Sequence, residues 1–357
     1  MKTYKNLYPH ICTFENLLNA FYQARRGKPK TPELCAFEYA LEPNLFALRD
    51  ELRAQTYRPG PYHNFYIHEP KKRKVSAAPF RDRVVHHALC NVIAPIFESR
   101  FIYDSYANRV GKGTHRALTR AQTFLRQNDY CFHGDILKCF PSIDHQILLE
   151  ILGRRIADAA VMKLIRLILQ SGEGILADEY EMQWFAGDDV FAPLRPRGLP
   201  IGNLTSQFWA NIYLGELDTF VKHELRCPYY LRYVDDFLIF SDDKRELHHA
   251  RQEIAHFLER LRLRLHPRKQ RVFPVRTGVD FLGFVSFPER RKIRRENVKR
   301  FTQRLRRLQK AYTAGEISLV LAERSMHSWL AHAGHADSYR LRSKILAGVV
   351  WTAPSIG

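Results

Sequence analysis

Cysteine is sparse and unpatterned in this 357-residue chain: six residues, at 12, 35, 90, 131, 139 and 227. None form Cys-x-x-Cys and no zinc spacing appears, which argues against a disulfide scaffold or a metal knuckle and fits reduced thiols in a cytoplasmic protein. Long apolar runs are also missing. No stretch approaches 18 residues, and Met1-Lys-Thr-Tyr-Lys-Asn6 has no apolar core behind it. A membrane span and a secretory signal are therefore not expected. Acid is scarce, with 37 acidic against 56 basic residues and a net charge of +19 before histidine. Such an excess attracts a polyanion, nucleic acid or an anionic membrane, and with no long apolar run the membrane reading is the weaker of the two. Internal repeats and low-complexity tracts are absent. Hydrophobic content of 45% and aromatic content of 12% exclude general disorder and suffice for a real core. The adjacent pairs His86-His87 and His248-His249 diverge on any regular element, so they read as structural or surface histidines rather than ligands.

Against this scarcity of acid, the stretch Tyr229-Tyr-Leu-Arg-Tyr-Val-Asp-Asp-Phe-Leu-Ile-Phe240 stands out. Its apolar flanks read as two short strands, with Asp235-Asp236 as the turn of a hairpin. Two carboxylates between buried strands are costly unless something compensates their charge. A divalent cation is the natural compensation, because hard cations take carboxylate oxygens. A second acidic strand end lies upstream, where Tyr130-Cys-Phe-His-Gly-Asp135 closes another apolar run.

The remaining periodicities predict helices over 14–22, 43–55 and 81–97, a hairpin over 62–80, a helical stretch over 144–170 and a hairpin or loop insertion over 171–196. A helix follows Gln207, with apolar positions at Phe208, Ile212, Leu217, Phe220 and Val221, and another carries Leu247, Ile254, Leu258 and Leu261. Strands at 270–274 and 279–287 are expected to complete the sheet begun at 130. From Arg290-Arg-Lys-Ile-Arg-Arg295 the composition turns basic. There, Val298, Phe301, Leu305, Leu308 and Tyr312 form an apolar stripe. Lys299, Arg300, Arg304, Arg306, Arg307 and Lys310 occupy the opposite surface, so this helix is expected to track a phosphate backbone.

Asp135 followed by Phe140, together with Tyr233-Val-Asp-Asp236, resembles motifs A and C of the reverse transcriptase palm. The resemblance covers roughly residues 60–345. It implies an α+β right-hand polymerase with an antiparallel split β-α-β palm. The segments would be a helical N-terminal extension (1–60), fingers (61–128 with parts of 145–200), palm (129–288), and a helical thumb with a C-terminal tail (289–357). It further implies two Mg²⁺ ions, with Mn²⁺ able to substitute, held by Asp135, Asp235, Asp236 and the Ile136 carbonyl for nucleotidyl transfer. By the same resemblance Phe140 is a steric gate against ribonucleotides. Lys71 and Arg73, ahead of the fingers motif Phe80-Arg-Asp-Arg-Val-Val-His86, would take the triphosphate, and Lys269 would lie near the leaving pyrophosphate. Ser105 to His115 resembles the fingers–palm loop, and Phe281-Leu-Gly-Phe284 the primer grip. Arg290, Arg291, Lys299, Arg300, Arg304 and Arg307 would contact nucleic acid.

Within the superfamily, Ile201-Gly-Asn-Leu-Thr-Ser-Gln207 resembles the reverse transcriptases of diversity-generating retroelements, as do Ala88 to Glu98 and Ser328-Trp-Leu-Ala-His-Ala-Gly-His335. Nothing after the thumb reads as an endonuclease, RNase H or maturase domain. That resemblance implies cDNA synthesis on a template RNA from a primer and dNTPs, errors opposite template adenine, and a small basic oligomeric accessory protein. Ile201 and Gln207 would sit beside the nascent base pair. The same residues also suit a compact prokaryotic enzyme of antiphage defence or a non-catalytic RNA-binding scaffold.

Overall fold

The computed structural model describes residues 2–68 and 72–352. Four helices open the chain: α1 (Tyr8–Ile11), α2 (Phe14–Arg25), α3 (Pro32–Tyr39) and α4 (Leu41–Arg53). Thr13 and Thr31 start α2 and α3, their hydroxyls accepting from the N–H groups of Asn16 and Leu34. A hairpin of β1 (His63–Ile67) and β2 (Arg73–Ala77) leads into α5 (Phe80–Glu98) and α6 (Thr114–Leu125). α2 lies along α5 and buries Leu17, Ala20, Phe21 and Ala24, so the opening helices are part of the main core.

Next come β3 (Tyr130–Asp135), α7 (Cys139–Ser142), α8 (His145–Gly153) and α9 (Ala159–Ser171). The helical stretch expected over 144–170 is thus two helices. Asp158 divides them, its carboxylate accepting from the N–H groups of Ala160 and Val161 to start α9. Residues 172–196 form turns and one 3₁₀ turn, the loop alternative of the two expected. α10 (Leu204–Thr219) runs on through a π turn at 220–224. Then follow β4 (Tyr230–Tyr233), β5 (Asp236–Ser241), α11 (Lys244–Arg260) and β6 (Arg271–Pro274).

Strands β4, β5, β3 and β6 form one antiparallel sheet in that order. Successive side chains point to opposite faces. Phe132, Tyr230, Phe237 and Ile239 enter a core shared with α5 and α8 to α11, whereas Cys131, Leu231, Leu238 and Phe240 enter a second core with α6. Both faces are covered, which is why these strands read as continuous apolar runs rather than alternating ones.

The expectation that 279–287 would extend this sheet is corrected. After β6 a 3₁₀ turn and Gly278, at φ +88°, swing the chain away. β7 (Val279–Phe281), β8 (Phe284–Ser286) and β9 (Arg291–Ile293) build a separate three-stranded antiparallel sheet. Three helices end the described chain: α12 (Arg295–Thr313), α13 (Leu319–Ala333) and α14 (Tyr339–Ala347). Phe301 of α12 stacks on Trp329 of α13, ring centroids 4.0 Å apart, and both belong to the second core.

Candidate active site

The acidic hairpin is tighter than its sequence suggests. Tyr233 pairs with Asp236, so the turn is Val234-Asp235 and Asp236 is the first residue of β5. Val234 stands at φ +57°, a left-handed conformation that a β-branched side chain resists. Strain of this kind persists only where surrounding structure enforces it, and it clusters at functional sites. The enforcing residue is Arg232. Its guanidinium donates to the Val234 carbonyl at 2.9 Å and is completely buried. Asp218 on α10 compensates it at 2.6 Å and also accepts from the Tyr230 hydroxyl at 2.6 Å. The only hint of this pair in the sequence is a cation in an otherwise apolar strand, which is costly without a partner.

Asp135, the last residue of β3, lies opposite Asp236 across the ladder. The Ile136 N–H donates to the Asp235 carbonyl at 3.0 Å, and the His266 N–H donates to the Asp135 carbonyl at 2.7 Å. Backbone pairing thereby brings the three aspartates together at one end of the sheet. Their side chains meet different partners. Lys269 reaches Asp135 at 2.7 Å, and His133 reaches Asp236 at 2.5 Å. Burial disfavours a charged His133, yet the Asp236 contact outweighs it and favours the imidazolium. Among the described residues, no three His, Cys, Asp or Glu side chains close into a ready-made ion cage.

Asp235 has no such neighbour within hydrogen-bond reach among the described residues. Burial, with Asp135 next, raises its carboxyl to about 6. Holding it ionised at neutral pH costs about 3 kcal/mol. This charge imbalance is what a hard divalent cation relieves, and the donor set of carboxylates and a backbone carbonyl is of the type such ions take.

The other expected residues divide. Phe140 is half-buried in α7, and its carbonyl accepts from the Leu199 N–H at 2.9 Å, which ties it to the loop before α10. Ile201 in that loop accepts from the Ser76 N–H of β2 at 2.8 Å. Arg73 is exposed on β2, and Lys71 lies outside the described residues. Lys74, by contrast, is tied to Asp178 and the Ile175 carbonyl. Gln207 lies a turn into α10, beside a cavity formed with α2 and α5.

Arg290, Lys299, Arg300, Arg304 and Arg307 are exposed. Arg291 is not available to a ligand as expected from the sequence. It is 8% exposed, and its guanidinium donates to the Gln122 side chain at 2.9 Å and the His335 carbonyl at 3.2 Å. Asp337 accepts from the Arg291 N–H at 2.8 Å. Arg291 therefore joins α6 to the turn after α13, a role visible only once these distant segments meet.

Residues 67–286, more than half of the chain, match the family model described as reverse transcriptase (RNA-dependent DNA polymerase). The chain is 27% identical over 279 residues to Protein YkfC of Escherichia coli, covering 66% of this chain and 69% of that one. It is 28% identical over 218 residues to the group II intron-encoded protein LtrA of Lactococcus lactis subsp. cremoris, covering 59% of this chain and 33% of LtrA. Nuclear intron maturase 2, mitochondrial, of Arabidopsis thaliana is 28% identical over 183 residues, 46% of this chain and 25% of that protein. The chain thus spans a third or less of the two intron-related proteins.

Proposed function

The chain belongs to the reverse transcriptase family, which implies RNA-directed DNA polymerase activity, and on that premise we propose a site and a biological role for it. The four-stranded sheet is the palm of a right-hand polymerase (129–288), the 61–128 segment with parts of 145–200 supplies the fingers, and the helices from 289 form the thumb. Asp135, Asp235, Asp236 and the Ile136 carbonyl would hold the divalent ions. Two such ions, Mg²⁺ or Mn²⁺, supply activation of the primer 3′-hydroxyl and neutralisation of the leaving pyrophosphate. Lys269 and His133 partly balance Asp135 and Asp236, and bound ions would supply the rest of the positive charge. Phe140 excludes the ribose 2′-hydroxyl, Arg73 with Lys71 takes the triphosphate, and the exposed face of α12 follows the template–primer duplex.

The observation that carries this reading is the ladder pairing of Asp135 with Asp236 around an uncompensated Asp235. Primer extension on an RNA template with a DNA primer tests it. Asp235→Asn should lower the rate at least about a thousandfold while leaving the fold intact. Retained extension would overturn the assignment.

The finer role is cDNA synthesis for a diversity-generating retroelement. Ile201-Gly-x-x-x-Ser-Gln207 supports it, and so does an apolar Ile201, which cannot hydrogen-bond to sugar or base and so enforces correct geometry less strongly. A structured template RNA and a small basic oligomeric accessory protein are its expected partners. Sequencing of cDNA made on a mixed template distinguishes this role from antiphage defence. Errors concentrated opposite adenine support diversification, and errors spread evenly over the four bases oppose it.

A further inference from the structure

The segment Ser328-Trp-Leu-Ala-His-Ala-Gly-His335 stands outside the aspartate site. It forms the end of α13 and the turn that follows, and there it meets α6. His335 stacks on His115, the second residue of α6, with ring centroids 3.4 Å apart and planes 18° from parallel. His332, one turn earlier, lies against Phe284 of β8 at 4.6 Å. Three imidazoles thus gather where α6, the small sheet and α13 join. Arg291 of β9 ties the same place together, its guanidinium donating to the Gln122 side chain of α6 and to the His335 carbonyl. The Asp337 N–H donates to the Arg291 carbonyl at 2.8 Å.

The charge around these rings is mostly of one sign. α6 contributes Arg116, whose guanidinium turns back to the Gly111 carbonyl, and β9 contributes Arg291. From α12, Arg300, Arg304 and Arg307 line a cavity together with His332. The carboxylate at this junction, Asp337, already accepts from the Arg291 N–H at 2.8 Å. Neutral imidazoles stack readily, whereas two imidazolium rings at this spacing repel each other and the guanidinium groups beside them. Lost hydration, then His335, His332 and Arg291, hold the His115 imidazole below its ordinary value of 6.5. Because folding lowers it, the contact contributes fully above that value and weakens as pH falls below it.

This junction reaches the acidic hairpin through a single residue. Thr114, next to His115, donates its hydroxyl to the Tyr233 hydroxyl at 3.1 Å, and Tyr233 pairs with Asp236. One end of α6 is therefore fixed both to the aspartate hairpin and to α13. We propose that His115 and His335 form an acid-released latch that positions α12 and α13 relative to the aspartate hairpin, closed while both rings are neutral and opened when they take up protons. The latch goes beyond the polymerase reading and does not depend on it.

Amide hydrogen exchange of the full chain, free of nucleic acid and metal and corrected for the intrinsic effect of pH, tests it. The Asp337 amide, bonded to Arg291, reports the latch, and the amides of α10, a helix without histidine, report the rest of the fold. In wild-type protein the Asp337 protection should fall roughly tenfold relative to α10 between about pH 7.5 and about pH 5. His115→Phe keeps an aromatic ring without the charge and should stay protected at both pH values. His115→Lys carries a charge throughout and should show the low protection at both. Wild-type protection that tracks α10 across pH, an acid loss retained in His115→Phe, or full protection of His115→Lys near neutral pH would each overturn the latch while leaving the polymerase reading intact.

Discussion

Two carboxylates near the same hairpin, Asp218 buried and Asp235 half-buried, meet opposite fates. Asp218 is 1% exposed and fully answered, by Arg232 at 2.6 Å and by the Tyr230 hydroxyl. Asp235, 17 residues further along, has no side-chain hydrogen-bond partner among the described residues, and burial, with Asp135 next, raises it to about 6. The first pair holds the turn that presents the second. A buried charge paired within the chain serves as framework, whereas one left unpaired marks where a ligand must bring the opposite charge.

Breaking the framework pair should have the largest effect on stability. Arg232→Met leaves Asp218 buried and uncompensated and should cost roughly 3–5 kcal/mol in chemical denaturation. Adding Asp218→Leu to it should recover most of that loss. A single variant as stable as wild type would show that the pair does not hold the turn.

The unpaired carboxylate should behave with the opposite sign. Because folding raises Asp235, the proton is bound more tightly in the folded state. Stability from this group is full below its unfolded value near 4 and is lost as pH rises through about 6. Without divalent metal, Asp235→Asn should therefore be more stable than wild type by about 1–3 kcal/mol at pH 7.5 and equal to it near pH 4. Added Mg²⁺ should raise the wild-type melting temperature at pH 7.5 and leave Asp235→Asn unmoved. Denaturant titrations across pH measure the first effect and thermal shifts the second. A destabilised Asp235→Asn at pH 7.5 would mean that Asp235 belongs with Asp218.

The same contrast applies, more weakly, to the basic residues. Arg304 is exposed on α12, whereas Arg291 is held by Gln122 and His335. Arg304→Ala should reduce the slope of log affinity against log salt by about one for a template–primer duplex. Arg291→Ala should leave that slope unchanged and lower stability by about 1–3 kcal/mol. Equal slopes in both variants would remove α12 from the nucleic-acid interface.

Much of this was legible before any coordinates. The strands around Asp135 and Asp235, the helix of residues 295–313 and its division into apolar and cationic faces all follow from local periodicity, which each segment carries alone. Buried Phe301 and Leu305, with exposed Lys299, Arg300, Arg304 and Arg307, match that division. What was missed is partly local and partly a matter of distant neighbours. The split of 144–170 turned on one capping aspartate, and the separate sheet at 279–293 turned on one glycine with positive φ. Arg291 reads like any other cation in its basic run until Asp337 and Gln122 arrive from 46 and 169 residues away.

By itself the sequence determined the kinds of chemistry present: aspartates closing two apolar strands, a cationic surplus and apolar runs able to bury a sheet on both faces. Those are properties of composition and short-range order. Tertiary structure alone decided which charges are answered and which are not. Compensation depends on distance through space, and the chain sets that distance only when segments far apart in sequence pack together.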